Sequence, residues 1–171
     1  MKKKALVSVV MGSDSDLPVM EETTRTLKTF GIPYEMNVSS AHRSPEKTAS
    51  YAQGAAGRGI EVIVAGAGGA AHLAGVIAAH TLLPVIGVPI DSSSLKGLDA
   101  LLSTVQMPSG VPVAVMAIGK AGAKNAAILA AQILALRYPA IRKSLIDYRA
   151  RLADDVESKD RMIKKSKTAG C

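Results

Sequence analysis

The sequence is poor in aromatic and sulfhydryl side chains. Its 171 residues include no Trp, one Phe and four Tyr. Proteins that stack single-stranded bases on aromatic side chains need more of them, which argues against a nucleic-acid-binding role. The sole cysteine is Cys171, so we expect neither an internal disulfide framework nor a cysteine metal cluster. This composition fits a protein of the reducing cytoplasm.

Long hydrophobic runs are also missing. No stretch reaches the roughly 18 uninterrupted apolar residues of a membrane-spanning helix. The N-terminal MKKKALVSVVMG has the basic start and apolar run of a signal peptide. However, the run from Ala5 to Met11 is short, and GSDSD follows it instead of a small-residue cleavage site. We therefore interpret this segment as a first β-strand and expect no contact with a membrane.

The net charge of +7 would suit a nucleic-acid partner, but its distribution removes that suggestion. The basic excess lies at the two ends, in Lys2 to Lys4 and in residues 158–171. Residues 5–157 contain 13 basic and 13 acidic side chains. We predict a single α/β domain over residues 1–157, including a C-terminal helix, and a solvated basic tail over 158–171.

Apolar runs alternate with helical patterns along the chain. Strands are predicted at 6–12, at 34–38 and in the runs VIVAG, VIGVPI and VPVAVMAIG, of which the last three are continuous enough to be covered on both faces. Helices are predicted at 17–30, from Ser44 and Pro45 to about Gly57–Gly59, at 70–80, 94–103 and 121–136, and from Pro139 onwards.

Five such βα units predict a doubly wound parallel sheet. Tyr34, Met36 and Val38 alternate with polar residues, so the second strand is half-buried and suits a position at the sheet edge. The expected fold is therefore α/β, a three-layer flavodoxin-like sheet of order 2-1-3-4-5 with an extra C-terminal helix.

Two predicted helices have little polar surface, AAHLAGVIAAH and AKNAAILAAQILAL. A helix that is apolar all round is buried all round, which in a chain of this size favours burial between subunits. The alternative is that alanine is present for its helix propensity alone.

Polar or glycine-rich segments follow the first three strands: GSDSD, SSAHR and AGAGGAAH. Ligands of open parallel sheets bind outside the carboxyl ends of the strands, near the switch in strand order. Strands 1 and 3 flank that switch here. The three segments therefore predict one binding site.

The segment GSDSD, Gly12 to Asp16, opens a helix whose N-terminus would attract phosphate. Ser13 and Ser15 offer hydroxyls, and Asp16 could accept hydrogen bonds from ribose hydroxyls. The simpler interpretation is that Ser or Asp only caps the helix.

The segment AGAGGAAH contains Gly66-x-Gly68-x-x-Ala71, a form of the dinucleotide-binding fingerprint, with Asp91 near the position of a ribose-binding acid. It lies in the third unit rather than the first, which weighs against nicotinamide binding. The lack of flanking aromatic residues weighs against flavin. Alternatively, the glycines only permit close packing of helix on strand.

His42 follows the second strand and has Arg43 beside it. A histidine can give and take protons near neutrality, and an arginine can hold a phosphate or carboxylate in a bidentate fork. The alternative is an ordinary surface histidine. His72 is either a core residue or a pocket liner, and His80 a capping or surface residue. The three histidines make no recognisable metal-binding spacing.

Taken together, MGSDSD, SAHRSP, AGAGGAAHLAG, GVP and LLSTVQMPSGVPVAVMAIGKAGAKNAA resemble the PurE family of purine biosynthesis in order and spacing, over residues 5–152. Arg43 after His42 is similar to class I members, the N5-carboxyaminoimidazole ribonucleotide mutases; class II members, the aminoimidazole ribonucleotide carboxylases, typically have Lys there. One departure is HLAG, in which Ala74 stands where the family commonly has Pro.

The resemblance implies a cytoplasmic isomerase that moves CO₂ from the exocyclic nitrogen to ring carbon 4 of its substrate without metal, ATP or biotin. His42 would be the general acid and base. Substrate-binding roles would fall to Ser13, Ser15, Asp16, Ser40, Ala41, Arg43, Ala67, Gly68, Gly69, His72 and Leu73. The resemblance also implies a homo-octamer. A carboxylase that uses CO₂ directly, and a non-catalytic flavodoxin-like module that binds a nucleotide or flavin, are the alternatives.

Overall fold

The structure is a computed structural model that describes residues 4–168. Its centre is a five-stranded, fully parallel sheet of order β2-β1-β3-β4-β5. The strands are β1 (Val7–Met11), β2 (Tyr34–Val38), β3 (Val62–Gly68), β4 (Val85–Ile90) and β5 (Ala114–Val115). The predicted fold class and strand order are confirmed.

Seven α-helices and one short 3₁₀-helix connect and flank these strands in residues 4–168. The 3₁₀-helix is Asp14–Asp16, and the α-helices are α1 (Leu17–Thr29), α2 (Pro45–Gln53), α3 (Ala55–Arg58), α4 (Leu73–Ala79), α5 (Leu98–Val105), α6 (Gly119–Ala135) and α7 (Pro139–Thr168).

Two helices begin later than their sequence patterns predict, because backbone turns precede them. Gly69 and Ala71 have positive φ angles of 58° and 33°, so α4 begins at Leu73 rather than at residue 70. Lys96 and Gly97 have φ angles of 52° and 83°, which delays α5 to Leu98. Left-handed residues interrupt a helix, and periodicity alone does not reveal them.

The central strands are apolar because helices cover them on both faces. Every residue of β1 and β4 is buried, and β2 is half-buried at the edge, as predicted. The prediction that β5 is covered on both faces was wrong for the single chain: β5 has only two residues, of which Ala114 is exposed. It is the other edge strand, and Pro112 just before it has no backbone donor.

Helices α1, α6 and α7 cover one face of the sheet, and α2 to α5 cover the other. Helix α6 lies between α1, α7 and the sheet, and its small residues are buried inside the chain. The hydroxyl of Thr23 in α1 donates a buried 2.9 Å hydrogen bond to the carbonyl of Ala123 in α6. The apolar surface of α6 therefore has a partner within the chain, and does not by itself require another subunit.

Helix α7 packs its first turns on α6 through Ile141, and Tyr148 meets Phe30 edge-on at 5.3 Å between ring centroids. It then continues to Thr168, and the side chains of residues 149–165 are mostly exposed. Residues 158–168, predicted as a basic tail, thus extend the same helix, and the domain boundary at 157 stays a prediction. Lys2, Lys3 and Cys171, on which predictions of charge and cysteine chemistry rest, lie outside the described residues. No helix in residues 4–168 is long and apolar enough to cross a membrane.

We expect Gly122→Ala in α6 to destabilise the fold by about 1–3 kcal/mol, the usual cost of overpacking a core. A Cβ there would lie 1.6 Å from the backbone oxygen of Ala117. Gly57→Ala in α3 is the matched control, because a Cβ at Gly57 meets no atom within 4 Å and alanine favours the helix. Urea denaturation measures both. Equal midpoints for the two variants would contradict the assigned packing of α6.

Candidate active site

A cavity of about 310 Å³ opens at the carboxyl ends of β1 to β4. The predicted residues line it with one exception, Gly69, and the structure adds Gly12, Ala71 and Ser92. The full lining is Gly12, Ser13, Ser15, Asp16, Ser40, Ala41, His42, Arg43, Ala67, Gly68, Ala71, His72, Leu73 and Ser92. The structure thus brings the three predicted loops together, while their binding of a substrate stays a prediction.

The segment after β1 folds into the 3₁₀-helix Asp14–Asp16. Ser13 is its N-cap: the amide of Ser15 donates to the Ser13 hydroxyl at 3.3 Å, and the amide of Ser13 donates to the Asp16 carboxylate at 3.0 Å. This reciprocal pair is a capping box. The capping interpretation of these residues is therefore confirmed, and the same side chains also face the cavity.

Asp16 is an acidic side chain in the wall of the cavity with only 4% of its surface exposed. Burial raises the pKa of its carboxyl above the usual value, while hydrogen bonds from the amides of Ser13 and Gly12 act in the opposite direction. The neighbouring carboxylate of Asp14 adds a smaller upward contribution to the pKa. The carboxylate of Asp16 is thus fixed in place by the backbone at a cost in desolvation.

The loop after β2 is a tight turn that holds His42 and Arg43 out from the backbone. The Arg43 amide donates to the Ser40 hydroxyl at 3.2 Å, and the Ser44 hydroxyl donates to the Ser40 carbonyl at 3.1 Å. Ser44 is the N-cap residue of α2, as predicted, but its side chain makes no capping hydrogen bond because it is turned back to Ser40. The side chains of His42 and Arg43 remain exposed.

The two glycines at the carboxyl end of β3, Gly66 and Gly68, each accommodate a different neighbour. A Cβ on Gly66 would lie 2.3 Å from the sulfur of Met20, so this glycine permits α1 to pack on the sheet. Gly68 lines the cavity, whereas Asp91, the predicted ribose-binding acid of a dinucleotide site, does not. These positions support the packing interpretation of the Gly66-x-Gly68-x-x-Ala71 pattern over the dinucleotide interpretation.

Two histidines meet at the mouth of the cavity. The Nε2 atom of His42 lies 2.8 Å from Nδ1 of His72, and the rings are edge-to-face with centroids 4.9 Å apart. One nitrogen of the pair must donate and the other accept, so the tautomer of one ring sets that of the other. His72 is therefore a pocket liner rather than a core residue. His80 is the exposed C-cap residue of α4, as predicted.

This arrangement places two imidazoles, a side-chain type that can serve as general acid or base, beside a guanidinium and a buried carboxylate. Within residues 4–168, no group of three or more His, Cys, Asp or Glu side chains could hold a metal ion. Ser92 was missed by the sequence interpretation, although its position directly after the fourth strand was the available signal.

Comparisons with known proteins agree on one family. A family profile described as AIR carboxylase matches residues 6–155. The N5-carboxyaminoimidazole ribonucleotide mutase of Pyrococcus horikoshii is 58% identical over 161 residues, covering 94% of this chain and 90% of the relative. That of Thermotoga maritima is 56% identical over 90% of this chain and 88% of its own length. The crystal structure of Treponema denticola PurE has a TM-score of 0.83 and 31% identity, covering 94% of this chain and 99% of that chain.

We expect Asp16→Asn to preserve or raise the stability of the fold near neutral pH. Because the folded pKa of Asp16 is raised, its stabilising contribution is present below its unfolded pKa and is lost as the pH rises through the folded value. The gain from Asn over the wild type should therefore be larger at pH 7 than at pH 4. Thermal unfolding at both pH values measures it. Asp14→Asn, an exposed carboxylate in the same turn, is the control.

A melting temperature of Asp16→Asn that falls below that of the wild type as the pH rises from 4 to 7 would contradict the assigned desolvation of Asp16.

Proposed function

Because the chain belongs to the AIR carboxylase family, we propose that it is an N5-carboxyaminoimidazole ribonucleotide mutase of purine biosynthesis. The observation that carries the proposal is the identity of 56–58% to curated mutases over 90–94% of the chain. The cavity supports it, since it joins a proton-exchanging histidine to groups suited to a ribonucleotide. The enzyme is then an isomerase: substrate and product have the same atoms.

His42 is the proton donor and acceptor in this proposal. The bond between the exocyclic nitrogen and the carboxyl carbon breaks, its electron pair stays on the nitrogen, and His42 supplies the proton that this nitrogen takes up. Ring carbon 4 then attacks the released CO₂, and its proton returns to His42. The histidine ends in its starting state, so no co-reactant is needed.

His72 contributes to this chemistry by positioning. Its 2.8 Å contact with Nε2 of His42 fixes the orientation and tautomer of the catalytic ring. When substrate enters, the proton transfer requires one nitrogen of His42 to face the reacting atoms, and a partner that holds the ring reduces the orientational freedom that must be lost.

The phosphoribosyl part of the substrate would lie along the ends of β1 and β2. Arg43 is exposed at the cavity wall and can form a bidentate fork with the phosphate. Ser13 and Ser15 offer hydroxyls and amides beside it, and Asp16 can accept hydrogen bonds from the ribose. Ser40 and Ala41 shape the turn that presents Arg43.

The imidazole would then lie against the end of β3. Ala67, Gly68 and Leu73 line this part of the cavity with small or apolar groups, and His72 closes it. Gly69, with a φ of 58°, permits the turn behind them without lining the cavity itself. Such a wall keeps CO₂ next to carbon 4, and proximity is what makes recapture faster than escape.

We further propose that the protein acts in the cytoplasm as a homo-octamer without a metal or organic cofactor. Large apolar side chains exposed on the single chain support an assembly: Leu82 at the start of the loop before β4, Leu98 and Leu102 on α5, and Leu136 after α6. Where such exposed apolar side chains are contiguous, they mark contact surfaces.

Purified protein should convert N5-carboxyaminoimidazole ribonucleotide into the carbon-carboxylated isomer without ATP, and should use aminoimidazole ribonucleotide with bicarbonate poorly. Ultraviolet absorbance of the product follows both reactions. Efficient use of aminoimidazole ribonucleotide and CO₂ would instead assign the direct carboxylase reaction. Turnover of neither substrate would contradict the proposed function.

We expect His42→Asn to lower kcat by about 10²- to 10⁴-fold, the usual contribution of general acid–base catalysis, with little change in substrate binding. Steady-state kinetics and isothermal titration with the product measure the two effects. His80→Asn is the matched control, because His80 is exposed and lies outside the cavity lining. Near-normal kcat in His42→Asn would remove the assigned role.

A further inference from the structure

Ser92 lines the cavity two residues after the end of β4, whereas Arg43 lines it in the loop after β2. The strand order β2-β1-β3-β4 places the phosphate-binding groups at one end of the cavity and Ser92 at the other. A ribonucleotide whose phosphoribosyl part occupies the ends of β1 and β2 therefore points its base, and the carboxyl group on that base, towards β3 and β4.

The hydroxyl of Ser92 occupies space that only a glycine leaves open. A Cβ built on Gly68 would lie 1.7 Å from the Ser92 hydroxyl oxygen and 2.6 Å from Ser92 Cβ. Gly68 is the last residue of β3 and pairs with Ile90, two residues before Ser92. The missing side chain thus lets the Ser92 hydroxyl approach the part of the wall that we assign to CO₂.

The Ser92 hydroxyl does not stabilise the fold through a hydrogen bond in the described residues. No hydrogen bond joins the Ser92 side chain to another residue in the described part of the chain, 4–168, and the residue is exposed. Its neighbour Ser93 differs, because the Ser93 hydroxyl donates to the Asp99 carboxylate at 2.7 Å and so holds the loop. A hydroxyl that faces a cavity without a protein partner can donate to a ligand at no structural cost.

On the basis of the proposed function, we propose that Ser92 binds the migrating carboxyl group. Its hydroxyl donates a hydrogen bond to a carboxylate oxygen of the carbamate, keeps contact with the CO₂ after the N–C bond breaks, and meets the carboxylate again on carbon 4. Ser92 exchanges no proton and forms no covalent bond. Because free CO₂ has no covalent link to the ring or the protein, one directed contact affects how often it is recaptured.

The test measures recapture directly. Substrate carrying ¹³C in the carbamate is turned over in unlabelled bicarbonate, and mass spectrometry gives the label retained in the product and the aminoimidazole ribonucleotide released. Losses without enzyme are subtracted. We expect Ser92→Ala to raise the release of aminoimidazole ribonucleotide per product formed by roughly three- to tenfold, the factor for one hydrogen bond. Ser92→Thr, which keeps the hydroxyl, should retain more label than Ser92→Ala.

Ser93→Ala is the matched control, since it removes the adjacent hydroxyl and its hydrogen bond to Asp99 but keeps the hydroxyl of Ser92 itself. It should lower thermal stability while retaining label as the wild type does. Wild-type retention in Ser92→Ala, or an equal loss in Ser93→Ala, would overturn the role of Ser92 alone. Absence of turnover in the wild type would overturn the proposed function together with this inference.

Discussion

Met11 pairs with Val38 on one side and with Gly66 on the other, so β1 and its two neighbouring strands are in parallel register where they approach the cavity. The site depends on this parallel register, because each cavity loop starts where one of these strands stops. A shift of one residue would reverse which side chains of β1 face each helical layer, and all of them are buried. Packing of the core and alignment of the three loops are therefore set by the same constraint.

The cavity combines groups that the fold satisfies with groups that it leaves free. Asp16 and Ser13 are held by a capping box, whereas Arg43 and Ser92 reach the cavity from the surface. A buried carboxylate with a raised pKa opposes folding near neutrality, and this is the kind of cost that binding sites tolerate. The free groups are accessible from the cavity without any rearrangement of the protein.

The sequence was sufficient to predict the strand order and the three loops, because both follow from apolar runs and from the polar residues at their ends. The sequence was less informative about burial and strand position, because these depend on which elements pack together in the fold. The surface of α6 looked unpartnered until α1 and α7 were seen to cover it, and β5 proved an edge strand despite its apolar run. Ser92 stands in the run DSSSLKG, where four polar residues look like any loop; only its approach to Gly68 distinguishes it.

The hydrogen bond from Thr23 to Ala123 joins residues 100 positions apart. Helix α6, which supplies Ala123, also covers the sheet face that contains Val9, Val64 and Val88. During synthesis, the cavity loops that follow β1, β2 and β3, and then β4, are made well before α6. A growing chain must therefore carry one uncovered apolar sheet face until α6 follows, and such exposure delays folding and invites association with other chains. Helix α6 thus completes the fold, although none of its residues lines the cavity.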